Sequence, residues 1–171
     1  HFPPGQVVMP FTGITVNGTY LGRRHRDGNN KGPTAIRALG SFTGGRRFQW
    51  PEDDGAVNVE DLGSEPIILD VASDLAIFDG RKAHQTEDFE GTRFSFAFYC
   101  TCDGDKISKE TRVGMEQIGL RPPPGSADSA FEQSMSQFLP GWVDVPRRRS
   151  RPVIQPGKST QDKLKALLLA S

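Results

Sequence analysis

Short segments rich in β-branched and aromatic residues recur along the N-terminal part of the chain, and this spacing most constrains the fold. Polar or glycine-containing turns separate the segments at intervals of roughly 8–12 residues, which is typical of a β-sandwich or barrel. The dipeptide Asn17-Gly18 favours a two-residue hairpin between the first two segments. We therefore predict strands over 14–16, 19–21, 34–39, 46–50, 66–71, 75–78 and 92–101.

Composition also favours a loop-rich β protein over a helical bundle. Of the 171 residues, 19 are glycine and 13 are proline, and only 35% are hydrophobic. Alternation with a period of two is clearest over 93–99. There, three phenylalanines share one face of the predicted strand, and the other face carries Arg93, Ser95 and Ala97.

The two parts of the chain differ in charge and in aromatic content. Residues 1–102 carry 10 basic and 13 acidic side chains, a net charge of −3, whereas 103–171 carry 11 basic and 8 acidic side chains, a net charge of +3. Twelve of the fifteen aromatic residues and all three histidines lie in the first part. We predict a packed core over 1–102, a C-terminal helical extension over 103–140 and a basic, proline-containing tail over 141–171.

The helices are expected after residue 102. The first is predicted over 107–118, with Asp105 or Ser108 as its N-cap and Gly119 after its last turn. A proline-rich stretch then breaks the chain. Beyond that stretch we expect a weaker helix over 129–139 and a short terminal helix over 161–170.

Charge and hydropathy argue against several classes of protein. The 21 basic and 21 acidic residues balance, so a uniformly basic nucleic-acid coat and an acidic tail protein are both disfavoured. No apolar run approaches ~18 residues, and we therefore expect no membrane span. Residues 1–10 lack the basic and apolar regions of a signal peptide.

The chain has two cysteines, Cys100 and Cys102, which lie two residues apart on one predicted strand. Neighbours on the same face of a strand are near the upper distance limit for a disulfide, so we do not expect a bridge. A pair of reduced thiols predicts an intracellular location, cytoplasmic or nuclear.

Three residues form a candidate metal site. His25 and Asp27 are two residues apart, so in an extended segment their side chains point the same way. His84 follows 57 residues after Asp27, just beyond a predicted strand. Two neutral imidazoles and one carboxylate on one face of Fe(II) leave open positions for a bidentate co-substrate and dioxygen.

Two further residues on the next strand suit the binding of an anion. Arg93 lies nine residues after His84, and Ser95 shares its strand face. A guanidinium is a planar fork that can bind a carboxylate through two hydrogen bonds, and a hydroxyl can add a third.

This order of residues, H-x-D followed by H and then R-x-S, resembles the 2-oxoglutarate- and Fe(II)-dependent dioxygenase superfamily. The resemblance covers roughly residues 20–102 and implies a mainly β fold, the double-stranded β-helix or cupin-like jelly roll. It implies that His25, Asp27 and His84 ligate iron. It also implies that Arg93 and Ser95 hold the distal carboxylate of 2-oxoglutarate, and that a substrate C–H bond is oxidised by O2 with release of succinate and CO2.

A finer likeness concerns the stretch from His25 to Asn30, which resembles the H-R-D-x-x-N stretch of the TET/JBP branch. That branch oxidises 5-methylpyrimidines in nucleic acid, and the asparagine at the position of Asn30 faces the substrate base. The stretches 38–45 and 78–84 resemble short protist and algal members of the same group. The chain departs from the TET enzymes in its shorter gap between His84 and Arg93 and in the lack of a cysteine-rich region upstream.

Alternative functions stay open at this point. A dioxygenase of this type can also hydroxylate a protein side chain, as prolyl hydroxylases do. Two other hypotheses are a non-catalytic jelly-roll binding module and a cupin-type metalloenzyme that does not use 2-oxoglutarate. Among residues outside the motif, Arg46 and Arg47 are interpreted as solvated strand residues; the alternative is an arginine that points into the barrel and meets the proximal carboxylate of 2-oxoglutarate. Phe48 and Trp50 are interpreted as core or rim aromatics, the alternative being that they stack on a flipped base.

Overall fold

The computed structural model describes residues 9–102, 107–123, 133 and 135–139. It is mainly β, with two antiparallel sheets and little helix among these residues. The seven strands are β1 (Gly13–Gly18), β2 (Asn30–Gly44), β3 (Arg47–Gln49), β4 (Ile67–Leu69), β5 (Ala76–Phe78), β6 (His84–Thr86) and β7 (Phe89–Thr101).

The larger sheet has the strand order β1-β7-β2-β5, and its two long central strands, β2 and β7, pair from Gly44↔Phe89 to Asn30↔Thr101. The ladder between them shifts between Lys31 and Ala35, where Pro33 has no N–H to donate. Gly91 is one of the glycines at which β7 and β2 lie too close together for a side chain. It has a φ of 99°, and a Cβ there would lie 2.2 Å from the carbonyl oxygen of Ser41.

The smaller sheet has the order β4-β3-β6. Beyond β6, the chain around His25 forms an isolated antiparallel bridge to His84. The two sheets face each other, which is consistent with a β-sandwich. Phe78 from the larger sheet lies with its ring centroid 5.1 Å from that of His84 and 5.1 Å from the guanidinium carbon of Arg47, both of which belong to the smaller sheet.

The apolar core lies at one end of the space between the sheets. Ile36, Ala38, Val71 and Phe78 are its buried members, and half-buried side chains such as Leu69 pack around them. The cavity described below lies beside this core, and Ile36 belongs to both.

The alternation predicted over 93–99 is present, but its polar side faces inward. Arg93 and Ser95 are 2% and 3% exposed, whereas Phe94 on the opposite face is 45% exposed. Across β7, the apolar side chains of Val16 and Leu39 are also exposed on this outer face. The usual rule, apolar in and polar out, is reversed because the inner face borders a polar cavity.

The predicted hairpin at Asn17-Gly18 is wrong. Residues 13–18 form one continuous strand, β1, which pairs with β7, and residues 19–21 are not in a strand. Thr19 has a φ of 46° and marks the end of β1. The long-range pairing with β7 supplies a full ladder to β1, and this outweighs the local turn preference.

The other strand predictions are confirmed in position but not always in length. The strand predicted over 34–39 runs from Asn30 to Gly44, and the short strand β6 at His84 was not predicted. The helix predicted over 107–118 is α1 (Lys109–Gln117). The Ser108 hydroxyl accepts a hydrogen bond from the Thr111 N–H at its N-terminus, as one of the two predicted caps should.

The predicted terminal helix over 161–170 and the tail over 141–171 lie outside the described residues, as do residues 129–132 and 134 of the helix predicted over 129–139. Of the latter, Gln133, Met135 and Ser136 are helical. Within the part of the chain that the structure describes, no helix has the length and apolar character needed to cross a membrane.

Candidate metal centre

The three predicted metal ligands converge. The Nε2 atom of His25 lies 3.5 Å from Asp27 Oδ1, and the Nε2 atom of His84 lies 3.7 Å from Asp27 Oδ2. One ligand atom from each residue can be chosen so that all lie within 4.8 Å of one another. The two imidazole rings are 4.3 Å apart at their centroids. This group can hold a metal ion.

Backbone hydrogen bonds fix the positions of the ligands. His25 and His84 exchange both N–H···O=C bonds, each 3.0 Å long, so the two histidines lie directly opposite each other on neighbouring strands. Asp27 is held by a bond of 2.8 Å from its N–H to the carbonyl of Gly80. Main-chain hydrogen bonds alone therefore join residues that are far apart in sequence.

Each histidine is also held by its second ring nitrogen. The Nδ1 of His25 lies 2.6 Å from the carbonyl oxygen of Arg23, and the Nδ1 of His84 lies 2.8 Å from that of Lys82. A carbonyl oxygen can only accept, so both Nδ1 atoms carry a proton, and in the neutral form of each imidazole Nε2 keeps a free lone pair. The Nε2 of His84 is buried and has no hydrogen-bond partner. A metal ion would satisfy it.

The pKa shifts of His84 and Asp27 suit residues that bind a cation. Burial, together with the charge of Arg47, lowers the pKa of His84 to about 4, so its imidazole is neutral at pH 7. The Asp27 carboxylate, which accepts a hydrogen bond from the protonated ring, raises the pKa of the more exposed His25. Burial alone would raise the pKa of Asp27, but the hydrogen bond with His25 and the surrounding positive charges lower it, so Asp27 is ionised.

The carboxylate of Asp27 has a supporting neighbour in Asn30. The Asn30 amide nitrogen lies 3.0 Å from Asp27 Oδ2 and 3.3 Å from the hydroxyl of Thr34, and Asn30 is 7% exposed. Gly80 lies against the side chains of Asp27, Asn30 and Thr34. A Cβ at Gly80 would lie 2.7 Å from the Thr34 hydroxyl and 3.1 Å from both Asn30 Nδ2 and Asp27 Oδ2.

A cavity of about 360 Å³ opens beside the candidate ligands. Its walls come from the larger sheet, the smaller sheet and the chain between them, and they combine polar side chains with apolar ones such as Ile36 and Ala97. Besides the ligands His25 and Asp27, the lining residues include Thr15, Asn17, Tyr20, Asn29, Asn30, Thr34, Arg47, Thr86, Ser95, Tyr99 and Thr101.

Arg47 lies in this cavity, and its interpretation as a solvated residue is wrong. Its side chain is buried, its Nη1 lies 3.3 Å from the hydroxyl of Thr86, and its Nε has no hydrogen-bond partner. Burial lowers the pKa of Arg47 to about 10, which still leaves it a cation at pH 7. The period-two alternation with Phe48 was the only sequence signal for an inward side chain, and it did not indicate which face of β3 is inside.

Only one member of the predicted anion-binding pair lines the cavity. Ser95 is buried and lines the cavity. Arg93 is on the same face of β7 but is not among the lining residues, and its guanidinium carbon lies 5.6 Å and 5.5 Å from the ring centroids of Phe42 and Phe89. Its Nε is buried with no hydrogen-bond partner, and burial lowers the Arg93 pKa.

The remaining residues behave as interpreted. Arg46 is exposed and pairs with Glu87. Trp50 is 2% exposed, and its indole N–H donates to the carbonyl of Ser64 at 2.8 Å. Cys100 and Cys102 are free thiols, and burial raises the pKa of Cys100 to about 12.

Comparison with known proteins does not add a relative. Neither a protein-family model nor a curated protein matches this chain. The function must therefore be argued from the site itself.

Proposed function

We propose that this chain is an Fe(II)- and 2-oxoglutarate-dependent dioxygenase built on a double-stranded β-helix. The observation that supports it best is the convergence of His25, Asp27 and His84, with both imidazoles oriented so that Nε2 points toward the carboxylate. Two imidazoles and one carboxylate on one side of a site are the ligand set of non-haem Fe(II) oxygenases. Their donor atoms fit this ion, and the polar cavity beside them leaves room for further ligands.

Bound Fe(II) would supply the oxidation chemistry, using O2 and 2-oxoglutarate to hydroxylate a substrate C–H bond with release of succinate and CO2. The residues of this chain hold and orient the reactants. His25, Asp27 and His84 occupy one side of the metal position and leave the cavity side open. Phe78, whose ring centroid lies 5.1 Å from that of His84, packs against this ligand, and both side chains are fully buried.

The cavity also has the charge that a dicarboxylate needs. Arg47 brings a buried cation to the wall, Thr86 and Ser95 add hydroxyl groups, and Arg93 lies two residues before Ser95 on the same face of β7. We assign the distal carboxylate of 2-oxoglutarate to Ser95 and Arg93, as the resemblance implies. Arg47 supplies a second positive charge, which offsets the negative charge of the second carboxylate.

For the prime substrate we propose a methylated nucleobase. Asn17, Asn29 and Tyr20 lie at the cavity, and Tyr20 is 59% exposed, so that a flat ring can stack on it. The resemblance assigns Asn30 to the base. Since the amide nitrogen of Asn30 already donates to Asp27 and Thr34, the carbonyl oxygen is the atom that we assign to a base donor.

Anaerobic titration with Fe(II) and 2-oxoglutarate tests the proposal. We expect a visible charge-transfer absorption that His84→Ala abolishes, and Fe(II)-dependent release of succinate once O2 is admitted. Absence of both signals in the wild-type protein would overturn the proposal and favour a non-catalytic binding module. Metal-dependent turnover that needs no 2-oxoglutarate would favour a cupin-type metalloenzyme.

A further inference from the structure

A second carboxylate, Asp53, lies close to the candidate metal centre without belonging to it. It follows β3 in an acidic stretch of the chain, yet it differs from its neighbours in burial. Its side chain is 0% exposed, whereas Glu52 and Asp54 are exposed. A buried carboxylate needs compensating partners, and the partners of Asp53 show what it connects.

On one side, Asp53 binds the residue between two candidate ligands. The Nε of Arg26 donates to Asp53 Oδ2 at 2.7 Å, and the Nη2 of Arg26 donates to Asp53 Oδ1 at 2.6 Å. This is the bidentate fork that fixes orientation as well as distance. Arg26 stands between His25 and Asp27, so the position of this guanidinium is tied to both ligands.

On the other side, Asp53 binds the residue before the third ligand. The backbone N–H of Ala83 donates to Asp53 Oδ2 at 2.6 Å, and His84 is the next residue. The N–H of Gly55 also donates to Asp53 Oδ1, at 2.9 Å. Each carboxylate oxygen therefore accepts two hydrogen bonds, and one oxygen, Oδ2, bridges the segment of His25 and Asp27 to the segment of His84.

We propose that Asp53 is a positioning residue of the metal centre, and this inference rests on the proposed metal site. Asp53 fixes the spacing between the two segments that carry the ligands. The backbone bridge between His25 and His84 and the bond from the Asp27 N–H to the Gly80 carbonyl align these segments through the main chain. The Asp53 carboxylate adds a side-chain attachment between them, through Arg26 on one segment and the Ala83 N–H on the other.

The substitution Asp53→Asn tests whether the carboxylate positions the metal ligands or only fills the space between the two segments. It keeps the shape of the side chain but replaces one acceptor oxygen with an N–H donor group. An amide cannot accept all four hydrogen bonds. Whichever way it is turned, its NH2 group faces two donors, either Arg26 Nη2 and the Gly55 N–H or Arg26 Nε and the Ala83 N–H, so the fork from Arg26 is broken. We expect affinity for Fe(II), or for Co(II) used as an air-stable probe, to fall about 10- to 100-fold, as for other residues that orient metal ligands.

Glu87→Gln is the matched control. Glu87 also accepts a fork from an arginine, Arg46, and from the Arg46 backbone N–H, but this pair is exposed and touches neither ligand segment. Metal affinity is measured by titration of the folded protein, coordination geometry by the visible absorption of bound Co(II), and stability by urea unfolding without metal. We expect Glu87→Gln to leave the metal affinity and the Co(II) spectrum unchanged.

Lower stability of Asp53→Asn with unchanged metal affinity and an unchanged Co(II) spectrum would overturn the proposal, because that result describes a purely structural ion pair. If Asp53→Asn does not fold, Arg26→Gln decides, since it removes the fork and leaves the bond from Ala83 in place. An Arg26→Gln protein with wild-type affinity would also overturn it. If the wild-type protein binds no metal, the proposed metal site itself fails, which is a different and separately visible result.

Discussion

Gly80 shows how closely the space around a single residue is set. A methyl group at this position would press on the Thr34 hydroxyl, Asn30 Nδ2 and Asp27 Oδ2, all within 3.1 Å. Real Cβ contacts avoid such distances, so the side chains that support the Asp27 carboxylate would have to move.

We predict that Gly80→Ala weakens metal binding about tenfold, because displacement of Asn30 and Asp27 disturbs the orientation of one ligand. Gly28→Ala is the control, since a Cβ at Gly28 next to Asp27 meets no atom within 4 Å. Metal titration of both variants checks this prediction. Equal affinities would show that the contacts of Gly80 are not needed by the ligand.

Arg47 carries the second prediction at the residue scale. Hydrogen bonds to charged groups contribute roughly 1.5–3 kcal/mol, which corresponds to a factor of about 10–100 in affinity. We therefore expect Arg47→Met to raise the KM for 2-oxoglutarate by about that factor. Loss of a buried charge with an unpartnered Nε should cost little stability.

Arg46→Met provides the comparison for Arg47, because the neighbouring arginine is exposed and paired with Glu87 outside the cavity. Its KM for 2-oxoglutarate should match that of the wild-type protein in the same succinate-release assay. A KM of Arg47→Met equal to that of Arg46→Met would remove Arg47 from the co-substrate site.

Among the elements, the loop that follows β3 is attached to the rest of the molecule through Asp53. Burial alone would raise the pKa of this carboxyl, but the bonds from Arg26, Gly55 and Ala83 lower it below the ordinary value of 3.8. A carboxyl whose pKa is lower in the folded than in the unfolded state stabilises the fold fully above the unfolded pKa. That contribution is lost as the pH falls through the folded pKa.

We accordingly predict that stability falls more steeply below about pH 4 in the wild-type protein than in Asp53→Asn, which cannot titrate at this position. Urea unfolding at intervals between pH 3 and pH 7 measures the difference between the two proteins. Parallel curves would mean that the Asp53 carboxyl has the same pKa in the folded and unfolded states.

The same elements show which parts of the structure the sequence can predict. The spacing of His25, Asp27 and His84 was sufficient to identify residues that converge, because the chemistry of a metal ligand set restricts residue types strongly. The prediction of a hairpin at Asn17-Gly18 was wrong because pairing with β7 outweighed a local turn preference. The burial of Arg47 depends on its strand lying beside β6, and no local pattern indicates which strands become neighbours.

Alternation along β7 was similarly informative about faces but not about which face is inside. In most sheets, the phenylalanine side would be the core. Here Ser95 faces the cavity between the two sheets, and Arg93, on the same face of β7, is buried beside the rings of Phe42 and Phe89. The reversed pattern is thus itself a sign of a binding site within a sandwich.

At the scale of the whole molecule, the candidate metal site joins parts of the chain that are far apart in sequence. His25 and Asp27 belong to the segment before β2, and His84 opens β6. The three ligand atoms come together only when the smaller sheet is folded, so the unfolded chain should bind the ion far more weakly. A ligand that binds the folded state alone stabilises it by RT ln(1 + [L]/Kd), about 2.7 kcal/mol at one hundred times Kd.

We therefore predict that Fe(II) under anaerobic conditions, or Co(II), raises the midpoint of urea unfolding in proportion to the logarithm of its concentration. A chelator should reverse the effect. His84→Ala should abolish it, because loss of the fully buried ligand leaves only the two ligands of one segment, which are close in sequence and do not depend on the sheet for their proximity. Equal stabilisation of the wild-type and His84→Ala proteins would mean that the ion binds elsewhere, and that the convergence of the three residues has a structural cause alone.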